Sequence, residues 1–257
     1  MSDEPVLLTR IDGAVATITL NRPEARNALN TELITALRRG VAAVDDDPEI
    51  AVIVLTGSDP VFCAGVDLKA LAEGRQQLDV APSGDGGPRR PFGPTTKPVI
   101  GAINGAAVTG GFEIAICCDF LIASERAAFA DTHARVGVMP GWGLSVRLPR
   151  AIGEGRARQM SFTGNFIDAA TALIWGVVNE VVPHDELMER AGQLALDVAS
   201  MPAAALTRYR QLYDENADLD SALLREQEVS ASFAFDREAL ANNRESIVSR
   251  GRDQAGC

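Results

Sequence analysis

The order of apolar and polar positions predicts a β-hairpin and then a helix at the start of the chain. Two short apolar runs flank Asp12-Gly13, a dipeptide that favours a tight turn between antiparallel strands. Asn30 or Thr31 can then cap a helix that ends before the Asp-Pro at 47–48. Its apolar residues recur at helical spacing: Leu33, Leu37, Val41 and Val44. The next run, AVIVL, does not alternate, which is typical of a strand buried on both faces. The predicted order is therefore β-β-α-β.

The same signals return twice further along the chain. A strand, a glycine-rich turn, a helix and another strand are predicted within residues 99–123, and a third cycle spans residues 128–182. After His184 the apolar spacing is helical throughout. We therefore expect an α/β core over residues 1–198 and a helical region over residues 199–257.

Composition and charge exclude several classes of protein. The chain has 257 residues, of which 46% are hydrophobic, so it can bury a globular core. Its 24 Lys and Arg against 35 Asp and Glu give a net charge of −11, which argues against nucleic acid or an anionic membrane as a partner. No apolar run is long enough to span a bilayer, and the first residues lack a signal-peptide pattern. We expect a cytoplasmic protein.

Two further patterns favour structural rather than functional interpretations. The four cysteines show no CxxC spacing and only two histidines accompany them, so we predict reduced core thiols and neither a metal site nor a disulfide framework. Residues 76–96 are rich in glycine and proline and have no periodicity, which predicts a surface loop.

Three glycine-containing stretches each join a strand-like run to a helix-like run: FCAGVDL at 62–68, NGAAVTGGFE at 104–113 and MPGWG at 139–143. Glycine lets backbone N–H groups approach a ligand, and a helix start adds unpaired donors. Two such loops facing each other would form an oxyanion hole. The chain has no GxGxxG, no GxxxxGK[ST] and no GxSxG motif, which counts against dinucleotide binding, phosphate-loop chemistry and a serine nucleophile.

Glu113 is the ionisable residue with the most unusual sequence context. It lies directly after Gly110-Gly111-Phe112, inside an apolar helix that reads FEIAICC. A desolvated carboxylate in this position suits general acid–base catalysis. The alternative is that its side chain reaches solvent or pairs with an arginine.

Five segments occur in an order that is typical of one family: NRPEARNAL, IVLTGSDPVFCAGVDLK, KPVIGAINGAAVTGGFEIAICCD, VGVMPGWG and TGNFIDAATALIWGVVNEVVP. They resemble the enoyl-CoA hydratase/isomerase (crotonase) superfamily from about residue 6 to residue 200. The resemblance implies an α/β fold, with a crotonase-like ββα spiral core and a C-terminal helical trimerisation region. It also implies a homotrimer or a dimer of trimers. The expected substrate is an acyl-CoA thioester whose enolate is stabilised by two backbone N–H groups. The CoA moiety belongs to this substrate, and no separate cofactor is expected.

The resemblance also assigns binding residues. Val66 and Gly110 match the two oxyanion donors of the family. The nucleotide end of CoA is expected along the chain after the NRP motif, from Ala25 to Asn27, with Arg26 as a phosphate contact or a solvated surface residue. The remaining expected substrate contacts are Ala64, Gly65, Asp67, Leu68, Lys69, Gly111 and Trp142.

At two positions the sequence departs from the family. Hydratases of the family use two glutamates, of which Glu113 matches the first, but His133 stands where the second is expected. A histidine with its ordinary pKa near 6.5 exchanges protons at neutral pH. It can therefore take part in catalysis or serve only as a structural residue, and Asp131 is a further candidate for the missing carboxylate. Trp142 occupies a turn that commonly holds small residues, where its ring either fills volume beside the acyl chain or packs outward.

The sequence thus predicts an enoyl-CoA hydratase-like enzyme in which Glu113 deprotonates water and His133 exchanges the α-proton. Isomerisation of the double bond or cleavage of another acyl-CoA is the alternative within the family. A catalytically weak acyl-CoA-binding protein is the alternative outside enzymes.

Overall fold

The structure, a computed structural model, describes residues 4–74 and 90–214 and, beyond them, scattered helical positions between 223 and 252. Most of the predicted loop at 76–96 and most of the predicted helical region beyond 214 lie outside the described residues. The strands are β1 (Leu7–Asp12), β2 (Val15–Leu20), β3 (Val52–Gly57), β4 (Val99–Ile103), β5 (Ala106–Val108), β6 (Phe120–Ser124), β7 (Ala128–Ala130), β8 (Ile167–Asp168) and β9 (Glu180–Val182). The helices are α1 (Thr31–Asp46), α2 (Leu68–Ala72), α3 (Gly110–Ile116), α4 (His133–Val136), α5 (Leu144–Ile152), α6 (Glu154–Thr163), α7 (Ala169–Trp175), α8 (Leu187–Ala199) and α9 (Ala203–Asp214).

The N-terminal elements confirm the predicted order. Strands β1 and β2 pair antiparallel across a turn in which Gly13 has a φ of +56°. The side chain of Asn30 caps α1 by accepting a hydrogen bond from the backbone N–H of Leu33 at 2.8 Å. All the predicted apolar positions of α1 are buried, and so is every residue of β3. The helix pattern and the two-sided burial were therefore both predicted correctly.

A six-stranded sheet forms the centre of the fold, in the order β1-β2-β3-β4-β6-β9. Apart from the β1–β2 hairpin, its neighbouring strands are parallel. Helix α8 packs on one face of this sheet through Leu187, Ala191 and Ala195, and the main core lies on the other face. The predicted α/β core is confirmed.

A second, three-stranded sheet positions the candidate site. Its order is β5-β7-β8, and β5 is parallel to β7 with Val108 opposite Ala130. An isolated parallel bridge between Cys63 and Ala107 adds a third extended segment beside β5. Strand β5 is only three residues long, and the sequence pattern predicted a turn there instead.

Two boundaries differ from the sequence prediction. The strand expected from Val177 begins at Glu180, because the N–H of Val177 donates to the carbonyl of Ala172 at 2.8 Å and so belongs to the turn that ends α7. The loop expected to extend to residue 96 is not all surface, since Arg90 and Phe92 are buried. The proposed division at 198/199 lies one residue before the end of α8. The assignment of 199–257 as a separate region stays a prediction.

Three of the four cysteines, Cys63, Cys117 and Cys118, are buried free thiols, as predicted. Burial raises the pKa of Cys63 to about 12, so this thiol stays protonated. Cys257 lies outside the described residues. Over 4–74 and 90–214 and the scattered later positions, no group of His, Cys, Asp and Glu is arranged to hold a metal ion. None of the helices in this part of the chain is long and apolar enough to cross a membrane.

Candidate active site

The carboxyl ends of two parallel strands bring the predicted catalytic segments together. Strand β5 leads directly into Thr109-Gly110, and β7 leads directly into Asp131-Thr132-His133. The backbone N–H of Thr109 donates to the carbonyl of Ala130 at 2.9 Å, which continues the pairing past the strand ends. The Thr109 and Thr132 hydroxyls also share a buried hydrogen bond. The two segments therefore meet at one edge of the small sheet, as parallel strands require.

The two glycine loops also face each other, as predicted. Backbone hydrogen bonds of 3.0 Å join Cys63 to β5, from Cys63 N–H to the carbonyl of Ala106 and from Val108 N–H to the carbonyl of Cys63. A Cβ on Gly111 would lie 2.3 Å from the Cys63 carbonyl oxygen, so only glycine allows this approach. Between residues 4–74 and 90–214 we find no acceptor for the N–H of Val66 or of Gly110. Their role as oxyanion donors stays a prediction.

Thr109 precedes the second donor in a strained conformation. It is a buried, non-glycine residue with a φ of 52° and a ψ of −115°. Such backbone conformations persist where the surrounding structure enforces them, and they concentrate at functional sites. Here the hydrogen bonds to Ala130 and Thr132 hold it in place.

Glu113 lies on α3 and is 3% exposed. Its Oε1 accepts a hydrogen bond from the backbone N–H of Trp142 at 2.8 Å and a longer one from Leu144 at 3.4 Å. Its Oε2 lies 3.5 Å from Nε2 of His133. The side chain neither reaches solvent nor pairs with an arginine among the described residues, so both structural alternatives for Glu113 are wrong.

His133 lies between two carboxylates. Its Nδ1 is 2.7 Å from Oδ1 of Asp131, on the side opposite Glu113. Burial alone would lower the pKa of His133, but the hydrogen bonds and charges of Asp131 and Glu113 together raise it to about 9. The expectation of an ordinary histidine pKa near 6.5 is therefore wrong. At neutral pH His133 is an imidazolium, which donates protons.

Asp131 stands behind His133 rather than facing Glu113 across the site. Its Oδ2 accepts a hydrogen bond from the Ser161 hydroxyl at 2.6 Å. Burial alone would raise the pKa of Asp131, but its hydrogen bonds from His133 and Ser161 and the charge of His133 together lower it. Asp131 is thus a carboxylate bound to the imidazolium.

Comparison with known proteins agrees with this arrangement. Residues 10–247 match the family model described as Enoyl-CoA hydratase/isomerase. The chain belongs to this family. It is 36% identical over 256 residues to "Probable enoyl-CoA hydratase 1, peroxisomal" of Arabidopsis thaliana, covering 98% of this chain and 96% of that protein. It is 39% identical over 218 residues to "Carnitinyl-CoA dehydratase" of Salmonella typhimurium, covering 84% and 82%.

A solved structure confirms the fold class. The enoyl-CoA hydratase from Mycobacterium smegmatis superposes with a TM-score of 0.79 at 46% identity, over 90% of this chain and 98% of that one. The crotonase fold expected from the sequence is therefore present. The chain is an enoyl-CoA hydratase-like enzyme that acts on acyl-CoA thioesters.

Trp142 of this family member packs inward. It is 9% exposed, and its ring atom Cζ3 lies 3.4 Å from the position that a Cβ on Gly110 would occupy. The alternative of an outward-packed ring is therefore wrong. The ring limits the space beside Gly110.

The expected CoA contacts lie around the first glycine loop. Arg26 accepts a hydrogen bond at its carbonyl from the N–H of Ala64 at 3.0 Å, which places Ala25 and Arg26 next to the loop. Lys69 is exposed on α2, and the half-buried Leu68 packs in an apolar cluster with Leu71, Val136 and Val138.

Asp67 has a structural role that the sequence did not reveal. Its Oδ1 caps α2 by accepting from Ala70 N–H at 3.1 Å, and its Oδ2 lies 3.3 Å from Nη2 of Arg22. Arg22 was also missed, and Asn27, expected beside the nucleotide end of CoA, is instead fully buried. The Asn27 amide donates to the carbonyls of Ser58 and Val61, each at 2.8 Å. These polar contacts fix the first glycine loop.

Proposed function

We propose that the protein hydrates the 2,3-double bond of an enoyl-CoA thioester. The observation that carries this proposal is the buried pair of Glu113 and His133, a carboxylate and an imidazolium 3.5 Å apart. One group can accept a proton and the other can donate one. Addition of water to a double bond needs both.

The steps follow from the positions of these groups. Glu113 takes a proton from water while the water oxygen bonds to C3, and the electron pair of the double bond moves to the thioester oxygen. The N–H groups of Val66 and Gly110 hold this enolate oxygen, each contributing roughly 3 to 4 kcal/mol in the transition state. His133 then gives its Nε2 proton to the α-carbon, and Glu113 returns its new proton to Nε2. The net change is one added water.

The surrounding residues are proposed to bind the rest of the substrate. Gly65 and Gly111 allow the close approach of the two loops, and Trp142 borders the acyl chain. Asp67 acts by holding Arg22 and the start of α2. The proposed contacts with the CoA moiety are Ala25, Arg26, Ala64, Leu68 and Lys69.

We further propose a homotrimer or a dimer of trimers. Phe162 on α6 is 81% exposed and Ile174 on α7 is 76% exposed, and a subunit interface over them would remove this apolar surface from water. CoA is proposed as part of the substrate and not as a resident cofactor. A cytoplasmic location also stays a proposal, as does the lack of nucleic-acid and membrane partners, which the net charge of −11 supports.

A panel of enoyl-CoA esters of increasing chain length, followed by mass spectrometry, tests the function. The proposal predicts 3-hydroxyacyl-CoA as product. A product of unchanged mass with a shifted double bond would instead establish isomerisation. Binding without turnover across the panel would establish an acyl-CoA-binding protein.

A further inference from the structure

A line of buried polar groups continues behind His133. The Ser161 hydroxyl on α6 donates to Oδ2 of Asp131 at 2.6 Å. Oδ1 of Asp131 accepts from the backbone N–H of His133 at 3.1 Å and faces Nδ1 of the same residue at 2.7 Å. Nε2 of His133 then faces Glu113. The order of groups is therefore Ser161, Asp131, His133 and Glu113.

This order determines where the protons of the imidazole lie. Asp131 holds the Nδ1 proton on one side of the ring, so the second proton of the imidazolium lies on Nε2, toward Glu113. Among the described residues, Asp131 and Glu113 are the ionisable groups that act on His133. Ser161 on α6 binds Asp131, and the segment leading into α5 supplies the backbone N–H groups that bind Glu113.

We propose that Asp131, anchored by Ser161, is a positioning residue that keeps His133 charged and its Nε2–H directed into the site. This inference rests on the proposed function, in which His133 donates the α-proton. A histidine needs a second group to fix its tautomer and orientation, and Asp131 supplies it.

Two variants test the role of Asp131. Asp131→Asn keeps the size of the side chain and an acceptor for Nδ1 but removes the negative charge. We expect kcat for hydration to fall by roughly 10-fold or more, with little change in KM. Ser161→Ala should also lower kcat, but by a smaller factor. Because it removes the anchor of Asp131 and leaves both Asp131 and His133 in place, it still tests the role if Asp131→Asn folds poorly.

The second histidine provides matched controls. The Ser124 hydroxyl lies 3.0 Å from Nδ1 of His184, and Asp59 Oδ2 lies 3.2 Å from its Nε2. Ser124→Ala and Asp59→Asn therefore remove the same kinds of group from a histidine outside the site. Both should leave kcat unchanged.

Because the chain has only two histidines, carbon-13 histidine labelling lets NMR follow His133 directly. In Asp131→Asn its titration should move from about 9 to lower pH, and the alkaline limb of kcat/KM should move with it. The His184 signal should not shift. An unchanged titration of His133, or a displaced titration with full kcat, would overturn the role of Asp131. A parent protein that hydrates no enoyl-CoA would instead refute the proposed function itself.

Discussion

The proposed chemistry depends on Glu113 and His133. Neighbouring groups orient the carboxylate of Glu113 and raise the pKa of His133. The backbone N–H groups at the start of the α5 segment bind one oxygen of Glu113, which leaves the other oxygen facing the imidazole. Removing the basic oxygen should therefore stop proton abstraction without changing the shape of the pocket.

Glu113→Gln should lower kcat for hydration by roughly 100-fold or more, because an amide cannot accept the proton of water. Affinity for a non-reactive acyl-CoA should barely change. Steady-state kinetics and calorimetry on the same preparation measure the two quantities. Retention of most of the activity on every substrate of the parent would show that Glu113 is not the base.

The pH dependence of kcat/KM reports the protonation state of His133. Its pKa is raised to about 9, so the donating imidazolium persists below that pH and is lost as the pH rises through it. We expect kcat/KM to fall on the alkaline side near this value. His133→Gln should remove this limb and most of the activity, whereas His184→Gln should retain both. A parent profile that is flat up to the alkaline limit of enzyme stability would rule out His133 as the acid.

At the scale of elements, the site depends on the close contact between the first glycine loop and the start of α3. Gly111→Ala places a methyl group 2.3 Å from the Cys63 carbonyl oxygen, so the two loops must separate. We expect a loss of at least about 1 to 3 kcal/mol in the free energy of unfolding and a large fall in kcat.

The matched control for this prediction is Gly192→Ala in α8. A Cβ there meets nothing within 4 Å, and alanine is favoured over glycine in a helix by about 1 kcal/mol. Denaturant unfolding measures both variants. Equal stability and activity in Gly111→Ala and Gly192→Ala would contradict the contact between the loops.

The sequence pattern predicted those elements that are determined by residues close together in the chain. The hairpin at Asp12-Gly13 and the cap at Asn30 need only neighbouring residues, and both were predicted correctly. Strand β5 was missed because three residues show no periodicity. Ser161 was missed because α6 brings it to Asp131 from 30 positions away, and nothing around it in the sequence marks that contact.

The candidate site was predicted in composition but not in charge state. The motifs placed Glu113, His133, Val66 and Gly110 in one site, and the structure brings them together at one sheet edge. The charge of His133 arises from burial between two carboxylates. Burial of this kind depends on tertiary packing, so an ordinary histidine pKa was the natural expectation from sequence alone.

At the scale of the whole molecule, Phe162 and Ile174 predict self-association. Light scattering should give a native mass of about three or six times 27.2 kDa. The double variant Phe162→Glu and Ile174→Glu should lower this mass, because charged side chains are disfavoured in the centre of an interface. Gln159→Glu adds one negative charge at an exposed polar position of α6 and should leave the mass unchanged. A parent mass of a single chain would contradict the trimer.

The central claim is that the buried pair of Glu113 and His133 adds water to an enoyl-CoA. Incubation of a short 2-enoyl-CoA with the parent enzyme in oxygen-18 water, followed by mass spectrometry of the product, tests this directly. The account predicts a 3-hydroxyacyl-CoA that carries one oxygen-18 atom, formed at least about 100-fold more slowly by Glu113→Gln. Turnover of the substrate without incorporation of oxygen-18, or equal incorporation by both proteins, would contradict it.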